Sequence, residues 1–409
     1  MGARWWGWQT GFGREKGAVN TVKIMVISET LQGERRVALV PDIAAKLVVS
    51  GFEVAVEAGA GEQADFTGDA YREAGVAVEA DRQVLLSTAD VVLSVQPPRL
   101  EDVALLRAGA ASISFLQPAA QGDIVEALAA RGVTAFSLVL LPRTSLAQSM
   151  DALSSQSSIS GYKAVLMAAN RLGKFFPMLI TAAGTIPPAH VLVLGAGVAG
   201  LQAIATAHRL GAVVEAYDVR PAVKDEVKSL GARFLDLELE TQEGEGGYAH
   251  EQSEAFLSKQ RELLTERMAA NDVVITTASI PGRKAPLLIT TAMVKGMRRG
   301  SVIVDIAAES GGNCEVTRPG QVVEVDGVWV DGTTNIPSTV ALHASQLYAR
   351  NITNLLHHLV RDGELKLNFE DEITRGCCVT YAGQVINERA RQMMEAAAAS
   401  QVIQTEVSR

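Results

Sequence analysis

Short apolar, β-branched runs alternate along this chain with longer Ala- and Leu-rich stretches, and glycine or polar turns separate them. The first run, VKIMVIS (Val22 to Ser28), reads as a strand; the polar turn ETLQGERR and a helix near Pro41 to Ser50 follow. FEVAVE, DVVLSV, ASISFL and TAFSLVL are further strand-like runs between helical stretches. Strands alternating with helices predict a parallel sheet covered on both faces. A long helix is expected from about Ser157 to Phe175, and TAAGTIPPAH, with Gly184 and Pro187-Pro188, reads as the entry to a second unit.

That unit opens with HVLVL (His190 to Leu194), continuously apolar as a strand buried on both faces should be. A glycine turn, a helix from Val198 to Leu210 and a strand from Ala212 to Tyr217 follow, the strand stopping on Asp218. Gly211 is placed to end the helix. A helix over Ala222 to Leu230, the short strand ARFLDL and the polar run ELETQEGEGGYAHEQSE come next. Then come a helix, DVVITTA, a helix near Thr290 to Met297, and SVIVDIA. From Pro337 an amphipathic helix runs to about Val360, and ARQMMEAAAASQVIQ reads as a short terminal helix. The expected fold is α/β, with two doubly wound Rossmann-like domains around a cleft. Residues 1–22 are an N-terminal extension; 23–155 with 335–409 form the first domain, and 156–334 the nucleotide-binding one.

Composition narrows the function classes. The chain has 409 residues, 48% of them hydrophobic and 20% charged, which suits two soluble domains with large cores. The net charge of −9 and the lack of a basic stripe speak against nucleic-acid binding. No apolar run approaches the roughly 20 residues that span a bilayer. Cys314, Cys377 and Cys378 have neither disulfide nor metal-ligand spacing, which suits a reducing cytoplasm, and no metal is expected. The extension carries Trp5, Trp6 and Trp8 but no apolar core of signal-peptide length; an extended or misassigned start is the expectation.

The chemistry concentrates in two stretches. In GAGVAG, Gly195 permits a tight turn, Gly197 lets a pyrophosphate approach the backbone, and Gly200 lets helix and strand pack closely. The helix N-terminus offers N–H groups and a partial positive charge to phosphates. Asp218, about twenty residues on, is placed to accept from a ribose 2′-OH and to repel a 2′-phosphate, which favours NAD over NADP. Ala196 and Val198 between the glycines, and Val219 and Arg220 after the acid, complete this candidate nucleotide set. The second stretch, LPRTSLAQSMDALSSQS, gathers Arg143, Ser145, Gln148, Asp151 and Ser154 between the two domains. Gln148, Asp151 and Ser154 fall at i, i+3 and i+6 and share a face on a helical turn. A solvated linker with a capped helix explains that spacing equally well. The polar run around Tyr248 reads as a surface loop, or as a lid over the nucleotide.

PRTSLAQSMDALSSQSSISGY, TAAGTIPPAHVLVLGAGVAGLQAIA, AYDVRPAVK, GGYA, ITTASIPG, GSVIVDIAAESGGNC and SQLYARNITNLL together resemble the NAD(H)-binding alpha subunits of proton-translocating nicotinamide nucleotide transhydrogenases. The resemblance runs from about Lys23 to the C-terminus. It implies hydride transfer from NADH, bound here, to NADP⁺ on a separate NADP-binding subunit. It further implies membrane partner subunits that carry protons, a homodimer, and a peripheral position on the cytoplasmic face of the inner membrane. Arg143, Gln148 and Asp151, with Ser154 beside them, match the family's nicotinamide and ribose contacts. Tyr248, next to Gly247, matches its mobile-loop tyrosine, and Asp218 its adenine-side acid. Ser145, Gln260 and Ser279 join the candidate cofactor contacts, although Ser279 stands where the family usually has Leu.

The related alanine dehydrogenases share this architecture and are the alternative. They hold a keto acid with a Lys and a His and move protons with them. Here Ser94 stands where that Lys is expected, and Phe115 near the His position. Arg36, in ERRVALVP, resembles their substrate arginine but reads equally as a structural ion-pairing group. Keto-acid reduction needs a proton donor near the carbonyl, whereas hydride passage between two nicotinamides needs only that the rings be held in contact. A non-enzymatic NAD-binding module is the third possibility. His190, His208, His357 and His358 read as packed or solvated.

Overall fold

A computed structural model describes residues 21–236, 254–279, 284–361 and 363–407. Its strands are β1 (Lys23–Val26), β2 (Glu53–Glu57), β3 (Ala77–Glu79), β4 (Val91–Leu93), β5 (Ala111–Ser114), β6 (Thr134–Ser137), β7 (Leu179–Thr181), β8 (Gly184–Ile186), β9 (His190–Leu194) and β10 (Val213–Tyr217). They continue with β11 (Arg233–Phe234), β12 (Val273–Thr276), β13 (Val302–Asp305), β14 (Val322–Val325), β15 (Val328–Asp331), β16 (Val360–Arg361), β17 (Glu364–Leu365), β18 (Cys378–Tyr381) and β19 (Gln384–Val385).

The larger sheet runs β3-β2-β1-β4-β5-β6-β18-β19, with β1 to β6 parallel and β18 antiparallel to β6. The second runs β11-β10-β9-β12-β13-β15-β14, parallel except for β14. Both wind outward in one direction from their first strand and then in the other. Each therefore has a crevice outside its strand C-termini, between β1 and β4 and between β9 and β12, where open α/β sheets bind ligands. The central strands β4, β5, β6, β12 and β13 are buried along their length, and they read as short runs of apolar and small polar residues rather than as alternating ones.

Two helices cross between the sheets. The linking helix, Ala152–Arg171, starts five residues before the sequence-based expectation. Asp151 explains the difference, since its Oδ1 accepts from the Ser154 N–H at 2.9 Å and caps the first turn. The return helix, Ala341–Leu359, packs on the linking helix and presents a buried face with Ala344, Tyr348, Ile352, Leu355 and Leu359. The C-terminal helix, Glu388–Val407, is longer than the short tail helix expected. Three elements carried too little apolar pattern to be foreseen: the edge strand β3, the exposed β7–β8 hairpin, and the β14–β15 pair. No helix among the described residues is long and apolar enough to cross a membrane.

The linking helix also positions the glycine turn. A Cβ at Gly161 would lie 2.0 Å from the carbonyl oxygen of Ala199, in the first turn of the helix Val198–Arg209. Only a glycine lets these two backbones meet. Gly161→Ala is therefore expected to destabilise the fold by about 1–3 kcal/mol through overpacking. An unchanged urea midpoint would show that the contact yields freely.

Candidate functional site

At the crevice of the second sheet, the three glycines of the turn meet different constraints. Gly195 has φ +100°, and a Cβ there would stand 2.6 Å from Thr277 Oγ1. At Gly200 a Cβ would lie 1.8 Å from the Gly195 carbonyl oxygen, so helix and turn pack backbone to backbone. Gly197, by contrast, has nothing within 4 Å of where a Cβ would be. It is the residue before the helix Val198–Arg209, and no side chain caps that end. The N–H groups of its first turn lack intrahelical acceptors, so an open, positively polarised cradle faces the crevice. Val198 is 41% exposed beside it, while Ala196 is buried.

Asp218 stands at the end of β10, and its carboxylate is already engaged. Oδ2 accepts from the Ala196 N–H at 2.7 Å and from Arg220 Nη2 at 2.9 Å. Oδ1 accepts from the Arg220 N–H at 2.9 Å and from its Nε at 3.0 Å. These bonds take up the roughly four acceptor positions of a carboxylate. The Arg220 guanidinium thus competes with any further donor, such as a ribose hydroxyl, for Asp218. Val219 is half-buried alongside. Gln260 is buried, and its amide donates to the Tyr217 hydroxyl at 2.7 Å, supporting the same strand end. Ser279 is exposed just beyond β12. Gly247 and Tyr248 lie outside the described residues.

The polar loop before the linking helix brings together part of the expected set. Asp151 and Ser154 are paired, the serine hydroxyl donating to Asp151 Oδ2 at 2.5 Å. Gln148 begins a separate 3₁₀ turn, Gln148–Met150, and Asp151 breaks the helical path with ψ 85°. The three residues therefore do not line one continuous helix face as their spacing suggested. Arg143, Ser145 and Gln148 are exposed. The loop itself is fixed, because Asn351 and Asn354 of the return helix both donate to the Ser149 carbonyl, at 2.9 and 3.0 Å.

The crevice of the first sheet is filled from within. Arg36 donates through Nε to Glu34 Oε1 at 2.7 Å and through Nη2 to Oε2 at 2.6 Å, a bidentate pair with side chains 4% and 0% exposed. Nη1 is held by Gln156 Oε1 at 2.9 Å. The Phe115 ring lies 5.9 Å from the guanidinium and 5.1 Å from the Tyr348 ring. Of the two readings open for Arg36, the structure selects the ion-pairing one. Burial pushes the Glu34 carboxyl up, but Arg36 outweighs it and holds it at about 2. Glu29, which pattern reading passed over, accepts from the Val95 N–H at 2.5 Å and the Gln96 N–H at 3.1 Å. Burial pushes its carboxyl up to about 8. Its only sequence signal was an acid just past the first strand.

The remaining candidates are structural. His357 packs edge-on against Phe52, and His358 Nε2 meets Asp371 Oδ2 at 2.7 Å. All three cysteines are buried and free. No cluster of metal-ligating side chains occurs among the described residues.

Two winding sheets, one with an open glycine turn and one filled by its own ion pair, define a Rossmann-type α/β protein. The family models for alanine dehydrogenase/PNT match residues 25–160 with the N-terminal domain and 164–388 with the C-terminal domain. The chain belongs to the alanine dehydrogenase/PNT family. It is 48% identical over 376 residues to an NAD(P) transhydrogenase subunit alpha polypeptide of Rhodospirillum rubrum, covering 90% of this chain and 98% of that one. The structure of a transhydrogenase from Sinorhizobium meliloti superposes with a TM-score of 0.81 at 43% identity, over 89% of this chain and 99% of the other. An L-alanine dehydrogenase structure is more distant, with a TM-score of 0.76 at 26% identity over 92% of this chain and all (100%) of that one.

Glu29 gives the fold a distinctive pH dependence. Its folded value lies above the ordinary 4.5, so its contribution to stability is full below 4.5 and is lost as pH rises toward about 8. The loss is on the order of a few kcal/mol. Glu29→Gln cannot ionise, so its melting temperature relative to the parent should climb between mildly acidic and mildly alkaline pH. A pH-independent difference would mean that Glu29 ionises normally.

Proposed function

We propose that this chain binds NAD(H) at the glycine turn and passes hydride to NADP⁺ held by a separate subunit, as the nucleotide-binding part of a proton-translocating transhydrogenase. The observation that carries the reading is the contrast between the two crevices. The second sheet offers a phosphate cradle at Gly197 with an acid at the neighbouring strand end. In the first sheet, Arg36 is consumed by Glu34, and Ser94 and Phe115 stand where a keto-acid reductase needs proton-moving groups. That contrast weighs against the alanine dehydrogenase alternative, and the transhydrogenase names of the relatives weigh the same way.

The residues present fit a dinucleotide. The backbone at Gly197 and the first helical turn would hold the pyrophosphate, and Asp218 the adenosine ribose once Arg220 swings aside. Bound nicotinamide would supply the transferable hydride. Arg143 would orient the carboxamide, Gln148 would contact the nearby ribose, and the Asp151–Ser154 pair would hold the nicotinamide side of the site. Ser145, Ser279, Gly247 and Tyr248 are the remaining proposed contacts. These are positioning roles, so no protein group need change protonation during transfer. Proton passage belongs to membrane partner subunits in this reading, and the chain works as a homodimer at the cytoplasmic membrane face.

The first test is an NADH titration beside NADH oxidation with pyruvate and ammonium. Binding without oxidation, followed by transfer to an NADP analogue once the NADP-binding subunit is added, is the expected pattern; turnover of pyruvate alone would overturn it. Asp151→Asn retains the cap and the contact with Ser154 but removes the charge. It and Gln148→Asn should slow hydride transfer about ten- to a hundredfold while leaving NADH binding within a few-fold. Equal losses in binding and transfer would refute the positioning role. Asp218→Ser should lower the preference for NADH over NADPH about tenfold, as competing titrations would report.

A further inference from the structure

The geometry points to the Glu34–Arg36 pair as an interdomain latch that sets how the two sheets face each other and thereby places the Gln148–Ser154 loop. The chain passes between sheets twice, through the linking helix and through the segment that joins β15 to the return helix. The pair holds both passages. Arg36 Nη1 donates to Gln156 Oε1 on the linking helix at 2.9 Å, and Nη2 to Asn335 Oδ1 on the return passage at 3.1 Å. Asn335 Nδ2 donates back to Glu34 Oε2 at 3.1 Å, and Ser338 Oγ to Oε1 at 3.1 Å.

The flanking backbone continues the strap. The Arg35 N–H donates to Ser338 Oγ at 2.6 Å, and the Val37 N–H to Ser345 Oγ at 3.0 Å. Gln156 Nε2 reaches the Ala344 carbonyl at 3.1 Å and ties one passage to the other. Asn335 is the joint. Its side chain lies between Glu34 and Arg36, and its N–H donates to Glu309, beyond β13 of the second sheet. Its backbone is left-handed, φ 48°, a conformation that Asn and Gly tolerate. Gln156 lies within the first turns of the helix that Asp151 caps, two residues beyond Ser154, so whatever holds it also holds the loop's anchor.

The latch rests on the geometry alone; its effect on hydride transfer rests on the function proposed above. Asn335→Gly tests it gently, because glycine keeps the backbone conformation and deletes only the side-chain bonds. The native cysteines are all buried, so spin labels can be directed to Glu73→Cys on the first domain and Lys228→Cys on the second, both exposed positions. A control pair, Glu73→Cys with Glu126→Cys, lies within the first domain. In the full chain, Asn335→Gly should widen the interdomain distance distribution about twofold and leave the control unchanged. With the NADP-binding subunit present, hydride transfer should fall about tenfold while the NADH dissociation constant holds within about twofold. An unchanged interdomain distribution overturns the latch, as does widening of the control pair, which would mark a general loss of structure. If Asn335→Gly does not fold, Gln156→Met makes the same measurement at the other passage. A widened interdomain distribution in a protein that transfers no hydride, mutated or not, would refute the transhydrogenase reading and leave the latch standing.

Discussion

A buried ion pair governs this architecture. Taking Glu34 and Arg36 out of water costs several kcal/mol per charge, and only excellent geometry with full hydrogen bonding offsets that. The pair meets the condition by recruiting polar groups from distant parts of the chain. Gln96 beyond β4, Gln156 on the linking helix, and Asn335 and Ser338 on the return passage all bond to it. Together with the direct Arg36 bonds, Gln96, Asn335 and Ser338 give both Glu34 oxygens several donors. A demand that begins as local electrostatics thus fixes both crossings between the sheets.

The same pair divides the labour between two sheets of the same winding. Each has a ligand crevice by topology, yet only one is open. In the first sheet the chain supplies its own occupant, and Phe115 and Tyr348 close the space around it. In the second, glycine keeps the cradle clear of side-chain atoms at Gly197. Duplicated topology therefore does not mean duplicated function. A guanidinium saturated by an internal carboxylate has little to offer a substrate carboxylate, so the enclosed crevice serves as scaffold for the open one.

The parallel sheets and the glycine turn were legible because their signals are local. Continuous apolar runs mark buried strands, and the glycine spacing matches what a tight turn and close packing require. The polar loop was only half legible. Its residue types were conspicuous, but spacing suggested one helix face where Asp151 interrupts the path to cap the next helix. The start of that helix lies earlier than expected for the same reason, since the Asp151 cap sits ahead of its apolar pattern. Edge elements such as β3 and β14 alternate too briefly to register. Ion pairing of Arg36 was one of two readings open, but the wider network was not legible, because beyond Glu34 its partners Gln156 and Asn335 lie |i−j| = 120 and 299 residues away in the chain. Composition can flag a buried charge; it cannot name what neutralises it.

The engagement of Asp218 by Arg220 shows that a sequence motif can be present and still be incomplete as a description. Spacing proposes the acid as a ribose acceptor, and in the structure Asp218 follows β10 and accepts from the Ala196 N–H of the glycine turn. The carboxylate is held by that backbone N–H on one side and by a guanidinium two residues on. Exchanging the guanidinium for ribose hydroxyls would give up charge-assisted hydrogen bonds for neutral donors, so contacts elsewhere on the nucleotide would have to offset the difference. In the proposed reading the exchange would also decide what the site rejects. With Arg220 in place, the acid's charge is largely cancelled, and a 2′-phosphate would meet a cation. Were Arg220 to move aside, the bare carboxylate would repel that phosphate and accept from a hydroxyl. In the proposed reading, discrimination between the two nucleotides would depend on how readily Arg220 leaves Asp218 as well as on the identity of the acid.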